Sequence, residues 1–291
     1  MYAILVILVI LLISMLGVKS WEYSRWRSRW YNREPIHRFS TEARRGDFPA
    51  LIFKTGKLPV NKLPSKITDL YRRIEQENKG WRIQYYDDDQ AKQFINQYCC
   101  ADVRDAYRRL LPGAYKADLF RLCILNEYGG LYSDYSQQYL VPLDDMIDRS
   151  RDELVLPFDS PLFETFNNRR IEGVFAAFIA GRRNNTYWKN CIQGIVDHVK
   201  TNYYGHTPLD ISGPIHLWRV LQNTPNAVYR MDMGKLYQGK NGGYLTRLYD
   251  KKRVVKHKLH DHYKLLLPKD ATATILPHYN DCWKNKTVYS N

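Results

Sequence analysis

The chain opens on an apolar run, Tyr2 to Val18 (YAILVILVILLISMLGV), in which Ser14 is the one clearly polar side chain and no charge occurs. As a helix rising about 1.5 Å per residue it would extend roughly 26 Å, a little under the ~30 Å of a hydrocarbon core. Trp21 and Tyr23 follow where interfacial aromatics belong. The pattern predicts an uncleaved transmembrane anchor over 1–18. A cleaved signal peptide competes, but no basic n-region precedes the run and no small-x-small site closes it. Residues 19–46 show no periodicity and read as a basic stem, either touching lipid headgroups or simply solvated. From 47 to 291 short apolar runs alternate with helical patterns, which predicts one α/β domain.

Within that domain, ALIFKTGKLP (50–59) reads as a strand and loop. ITDLYRRIEQENKG (67–80) reads as an amphipathic helix with Ile67, Leu70, Tyr71 and Ile74 on one face and Gly80 ending it. WRIQYY (81–86) is a second strand, and one of Asp87 to Asp89 caps the helix that follows. An acidic triplet also invites a metal, but capping ahead of an amphipathic helix explains it more simply. Strand, helix, strand, helix implies a parallel sheet with its ligand at the carboxyl ends of the strands. Val174 to Ala180 is apolar and reads as a buried strand.

Charge and composition narrow the partners. Forty-four Lys and Arg against 30 Asp and Glu leave a net charge of +14, which favours anionic or phosphorylated partners or an anionic membrane surface. Twenty-three tyrosines suit sugars and bases, since the ring stacks while the hydroxyl bonds. The five cysteines include no C-x-x-C spacing, so neither a disulfide scaffold nor a structural zinc site is expected. A nucleic-acid binder would rest on the charge alone; no recognition motif supports it. For membrane orientation, Lys19, Arg25, Arg27, Arg29 and Arg33 place the bulk of a single-pass protein on the cytoplasmic side, whereas sequons at Asn184 and Asn285 point to a secretory lumen.

The chemistry concentrates in residues 115–145, YKADLFRLCILNEYGGLYSDYSQQYLVPLDD. A helix with Leu119, Leu122, Cys123 and Leu125 on its apolar face carries Asp118 and Arg121 three apart, hence on one side. Gly129-Gly130 breaks it, and LYSDYS forms a short strand ending in Asp134 and Ser136. The Asp can accept from ribose hydroxyls and the Arg can pair with phosphate. The strand-end Asp134 can hold a divalent cation that neutralises a diphosphate leaving group.

This stretch resembles the signature of glycosyltransferase family 32, A-x-D-x-x-R followed by Y-G-G-hydrophobic-Y-x-D-x-D. That group includes yeast-type mannosyltransferases, capsular-polysaccharide enzymes and viral members. FPALIFKTGKLP is similar to the family's opening strand, WRIQYYDDDQAKQFI to its next segment, LDISGPIHLW (209–218) to its T-G-P segment and ILPHYNDCW (275–283) to its closing H-x-x-x-x-W region. The resemblance implies a GT-A fold, a Rossmann-like α/β sandwich, behind the anchor. It implies hexosyl transfer from a nucleoside-diphosphate sugar to a glycan or glycoconjugate with retention of configuration, helped by Mn²⁺ or alternatively Mg²⁺. No nucleic-acid partner is expected. By position, Asp118, Arg121, Tyr132, Asp134 and Ser136 match donor-binding residues, and Asp134 the catalytic carboxylate. Asp134, Ser136 and His278 match metal contacts. Ser136 stands where the family pattern has its second Asp, and this keeps open a catalytically silent sugar- or phosphate-binding protein of the same fold. Phe53 stands where many relatives have aromatic and His residues, which leaves the base unassigned. Asp210 is a candidate sugar contact. His257, His260 and His262 form a tempting cluster in a basic segment, and Asp144 and Asp145 read as a loop or cap.

Overall fold

The computed structural model describes residues 17–18, 21–22, 24–25, 48–139, 142–159, 172–224, 237–238, 244–247, 253–257 and 278–290. The anchor expected over 1–18 and the stem over 19–46 lie almost wholly outside these residues, as do His260 and His262. No helix among the described residues is long and apolar enough to cross a membrane.

The period-2 and period-3.6 patterns become strands and helices close to where they are read. Strand β1 (Leu51–Thr55) is followed by helix α1 (Ser65–Glu77), which buries Ile67, Leu70, Tyr71 and Ile74. Strand β2 (Arg82–Tyr86) leads into α2 (Asp88–Tyr98). Asp87 caps α2 in a reciprocal box: its carboxylate accepts from Gln90 N, and the Gln90 side chain accepts from Asp87 N. Helices α3 (Ala101–Arg109) and α4 (Gly113–Tyr128) follow, then β3 (Gly130–Ser133), β4 (Gln137–Tyr139) and a short α5 (Leu143–Met146). Strands β5 (Leu154–Val155), β6 (Phe158–Asp159), β7 (Gly173–Val174) and β8 (Phe178–Gly181) precede α6 (Thr186–Lys200) and α7 (Pro214–Gln222). Strands β9 (Tyr237–Gln238), β10 (Tyr244–Arg247) and β11 (Arg253–His257) and helix α8 (Tyr279–Lys284) complete the described elements.

Three local expectations change. The apolar run at Val174–Ala180 is not one strand, because a turn separates β7 from β8. Helix α4 has no single apolar face: Leu119 through Leu125 are all buried, Arg121 included. It runs through the interior between the sheet and α6, so no side of that turn meets water. Strand β3 stops at Ser133, so Asp134 and Ser136 belong to a turn rather than a strand.

The central sheet has the order β2-β1-β3-β8-β5, with β1 parallel to both β2 and β3, and β8 antiparallel to β3 and β5. From β1 the chain crosses by α1 to β2, then returns over the other face through α2, α3 and α4 to β3 on the far side of β1. The carboxyl ends of β1 and β3 therefore form a topological switch point, where open α/β sheets bind ligands. Leu51 and Phe53 join the core under α2, α3, α4 and α6, while Ile52 joins the core under α1. This alternation follows from the pleat. At the end of α4, Gly129 and Gly130 take φ of 71° and 101°. A Cβ at Gly130 would lie 2.8 Å from Leu51 O, so glycine alone lets β3 close against β1. Strand β4 leaves for a second sheet of order β4-β11-β10-β9. The three residues joining β3 to β4 thus lie where the chain passes between sheets.

Candidate active site

Helix α4 and strand β3 place the motif residues together at the switch point. The (i, i+3) spacing brings Arg121 Nη2 to 3.0 Å from Asp118 Oδ1, and the turn after β3 brings Asp134 Oδ1 to 3.8 Å from the same nitrogen. The other Arg121 donors go to main-chain oxygens, Nη1 to Ala176 O at 2.7 Å and Nε to Ala117 O at 3.3 Å. The guanidinium lies 4.5 Å from the centroid of the Tyr132 ring. Tyr132 is buried beneath it, and its hydroxyl bonds the Asp134 side chain. Burial works against the Arg121 charge, but Tyr132, Asp118 and Asp134 together hold its pKa above the ordinary value.

Asp118 has both oxygens engaged, Oδ1 by Arg121 and Oδ2 by Ser212 Oγ at 2.7 Å. Burial lifts its pKa to about 6, against the opposing pull of Arg121 and Ser212. The pair read from the sequence as direct ribose and phosphate contacts is therefore committed to protein partners. Its position makes it a support for Asp134, whose own carboxylate is 42% exposed and free to meet a ligand. Ser136, half-buried, shares the turn. The Asp134 backbone is held on two sides, with its N–H donating to Ala177 O at 3.0 Å and its carbonyl accepting from Gln137 N at 3.1 Å.

His278 is exposed and caps α8, its Nδ1 accepting from Asn280 N at 3.3 Å. The next residue, Tyr279, sets its ring edge-on to Tyr115 of α4 at 5.8 Å, which brings this end of the chain beside the Asp118 helix. Among the described residues no hydrogen bond or ion pair joins His278 to Asp134 or Ser136, and no group of three or more His, Cys, Asp or Glu gathers to hold a metal.

Asp210 is not a ligand contact. It is buried, accepts from His206 N at 3.0 Å and Thr207 N at 2.7 Å, and pairs with Arg219. It braces the loop that presents Ser212 to Asp118. Phe53 is fully buried and stacks with Tyr128, so it offers no face to a base. Asp144 accepts from Trp81 Nε1 at 2.9 Å in the first turn of α5, as a structural carboxylate would.

Two site residues escape a reading of the sequence. Ser212 lies in the LDISGPIHLW segment, where the resemblance flags the segment but not the hydroxyl. Lys54 gives no signal, because its apolar neighbours in β1 make it look like the polar, outward position of an alternating strand.

Residues 64–152 match the family described as a glycosyltransferase sugar-binding region containing DXD motif. Over 113 residues the chain is 31% identical to the initiation-specific alpha-1,6-mannosyltransferase of Candida albicans, covering 38% of this chain and 29% of that relative. The matched part thus spans under a third of the relative's length. Among solved structures, the PaToxG glycosyltransferase matches with a TM-score of 0.45 at 13% identity, over 72% of this chain and 80% of that one. The glycosyltransferase GlyE of Streptococcus pneumoniae TIGR4 matches with a TM-score of 0.35 at 13% identity, over 64% and 45%. In its central segment, residues 64–152, the chain is thus similar to the DXD-type glycosyltransferase sugar-binding region.

Proposed function

We propose that the chain is a glycosyltransferase of GT-A type that moves a hexose from a nucleoside-diphosphate sugar to a glycan or glycoconjugate, with retention, tethered to a membrane by residues 1–18. The observation that carries this is Asp134, a half-exposed carboxylate held on several sides at the switch point of a mixed α/β sheet. The donor diphosphate lies against the Asp134–Ser136 turn.

The side chains there fit a cation held largely through the substrate. One carboxylate and one neutral hydroxyl leave most positions of a hard, oxygen-seeking ion to phosphate oxygens and water. Asp134 and Ser136 would hold Mn²⁺ or Mg²⁺, which would supply neutralisation of the departing diphosphate. The protein's own part is orientation. Arg121 and Tyr132 fix the Asp134 carboxylate, and Asp118 with Ser212 fixes Arg121 in turn. In a retaining transfer the acceptor hydroxyl bonds to the anomeric carbon on the face from which the diphosphate leaves. Its proton passes to the leaving diphosphate oxygen, so no side chain need act as nucleophile.

A second reading, a silent sugar- or phosphate-binding protein, is favoured by Ser136 in place of a carboxylate and by the engaged Asp118 and Arg121. A nucleotide-sugar panel with the 47–291 domain, scored by donor hydrolysis with and without Mn²⁺, separates the two. The transferase reading expects turnover of one donor and its loss in a folded Asp134→Ala variant. Binding without turnover across all donors and metals would leave the silent binder. For the tether, alkaline carbonate extraction should leave the full chain in the membrane pellet; release to the supernatant would remove it.

A further inference from the structure

Lys54 takes no part in the chemistry above, yet it is wholly buried on the α1 face of the sheet. Such a site is costly for an ammonium group, which gives up its hydration there. The groups that receive it are neutral. Nζ donates to Ser133 Oγ at 3.0 Å and to the Asp134 carbonyl oxygen at 3.0 Å, and it lies 5.5 Å from the ring centroids of both Tyr71 and Tyr139.

These contacts converge on one short piece of chain. Ser133 Oγ donates onward to Gln137 Oε1 at 2.8 Å, so the two residues flanking the turn are tied together above Lys54. The carbonyl Lys54 holds is the one that also closes the turn through Gln137 N. Tyr71 of α1 adds a bond from its hydroxyl to the next carbonyl, Tyr135 O, at 2.9 Å. The turn is therefore fixed from both faces of the sheet: its backbone from the α1 face by Lys54 and Tyr71, and the Asp134 carboxylate from the α4 face by Arg121 and Tyr132. A charged donor suits the backbone side because an ammonium-to-carbonyl bond is roughly twice as strong as a neutral one, and one ammonium serves two acceptors at once.

We propose that Lys54 is a positioning residue of the donor site, which aims the Asp134 carboxylate and the Ser136 hydroxyl at a nucleoside diphosphate by holding the backbone of their turn. The proposal rests on the transferase reading above. It makes the buried charge a device for ligand geometry and not for stability.

The test compares wild type with Lys54→Met, which keeps the length and removes the ammonium. Calorimetric titration with UDP, GDP, ADP and CDP in the presence of Mn²⁺ reads affinity directly, and donor hydrolysis reads KM and kcat. Lys54→Met should keep or raise the melting temperature while its affinity for the nucleoside diphosphate falls about tenfold or more. KM for the donor should rise by the same factor, with kcat changed less. A purely structural lysine would give the reverse, a lower melting temperature with wild-type affinity and KM, and that result overturns the proposal. If Lys54→Met does not fold, Ser133→Ala removes one of its two acceptors and should weaken affinity several-fold; wild-type affinity there also overturns it. A wild type that binds none of the four nucleotides removes the donor-site reading and this proposal together. A wild type that binds, beside a Lys54→Met that binds equally, removes this proposal alone.

Discussion

The two faces of the sheet hold the Asp134–Ser136 turn in opposite ways. On the α4 face Arg121 has charged partners, Asp118 at 3.0 Å and Asp134 at 3.8 Å, with the Asp118 pair supported in turn by Ser212. On the α1 face Lys54 has only a hydroxyl, a carbonyl and two aromatic rings. The titration of the buried groups reflects the contrast. Arg121 keeps its charge because its partners outweigh burial, whereas burial pulls Lys54 down to about 7 with Asp134 as the opposing attraction. A charge with a counter-charge can be both stabilising and fixed. A charge with neutral partners costs stability, and its value must lie in what it holds in place.

The largest effect expected from breaking this contrast is on the α4 face. Arg121→Ala leaves Asp118 buried without its cation, and urea denaturation should show a loss of about 3–5 kcal/mol, the range for breaking a buried pair. The Arg108–Asp105 pair is the control, since its side chains are 63% and 49% exposed and truncation of Arg108 should cost less. Equal, small losses at both sites would show that burial does not distinguish the pairs.

The second test is the dependence of stability on pH. Lys54 has a folded pKa of about 7, below its usual 10.5, so the unfolded chain binds more protons between those values. Its contribution is complete above the unfolded pKa and is lost as pH falls through the folded one. Stability should therefore rise from about pH 7 towards pH 10, with a slope on the order of 1 kcal/mol per pH unit, and Lys54→Met should flatten that limb. Asp118 has the opposite sign. Its folded pKa is about 6, above the usual 3.8, so its contribution is full below the unfolded pKa and is lost as pH rises through 6. Asp118→Asn should remove a falling limb between about pH 4 and 6. Limbs unchanged in both variants would mean that other groups set the profile.

Ser212→Ala sharpens the α4 side by removing one bond to a buried carboxylate. The expected loss is about 2 kcal/mol by thermal or urea unfolding, with a further rise in the Asp118 pKa visible by NMR titration. An unperturbed variant would show that the loop braced by Asp210 does not support the site. The smallest change is expected at the turn itself. Ser136→Asp adds a carboxylate beside Asp134 and should lower the Mn²⁺ concentration for half-maximal donor hydrolysis several-fold, without moving stability measurably. An unchanged requirement would separate Ser136 from the cation.

Much of this molecule is local and can be read locally. The faces of α1, the Asp87 cap, the glycine pair after α4 and the strands β1 and β2 follow from spacing over a few residues. So does the Asp118–Arg121 contact, because an (i, i+3) pair meets on any helix. The resemblance carried by residues 115–145 pointed to the same DXD-type similarity that residues 64–152 show. The same spacing did not say which way that pair faces. A helix exposed on one side would offer Asp118 and Arg121 to a ligand; α4 is instead enclosed, and both side chains turn to protein groups. The apolar run at 174–180 likewise hid its turn, since periodicity does not show where β8 breaks away to pair with β3.

The sequence by itself therefore determined the elements, the caps and the helix pair, all of which depend on contacts a few residues apart. Tertiary structure alone decided what holds Asp134. Lys54 lies 79 positions from Ser133, and Ser212 lies 94 from Asp118. The first meeting depends on β3 inserting beside β1 in a register that pairs Phe53 with Tyr132. The second depends on a loop braced by Asp210 reaching α4. A strand pattern fixes which residues share a face, but the strand that comes to lie beside it is chosen by the packing of the whole sheet. That choice turned an inconspicuous lysine in β1 into the backbone support of the site.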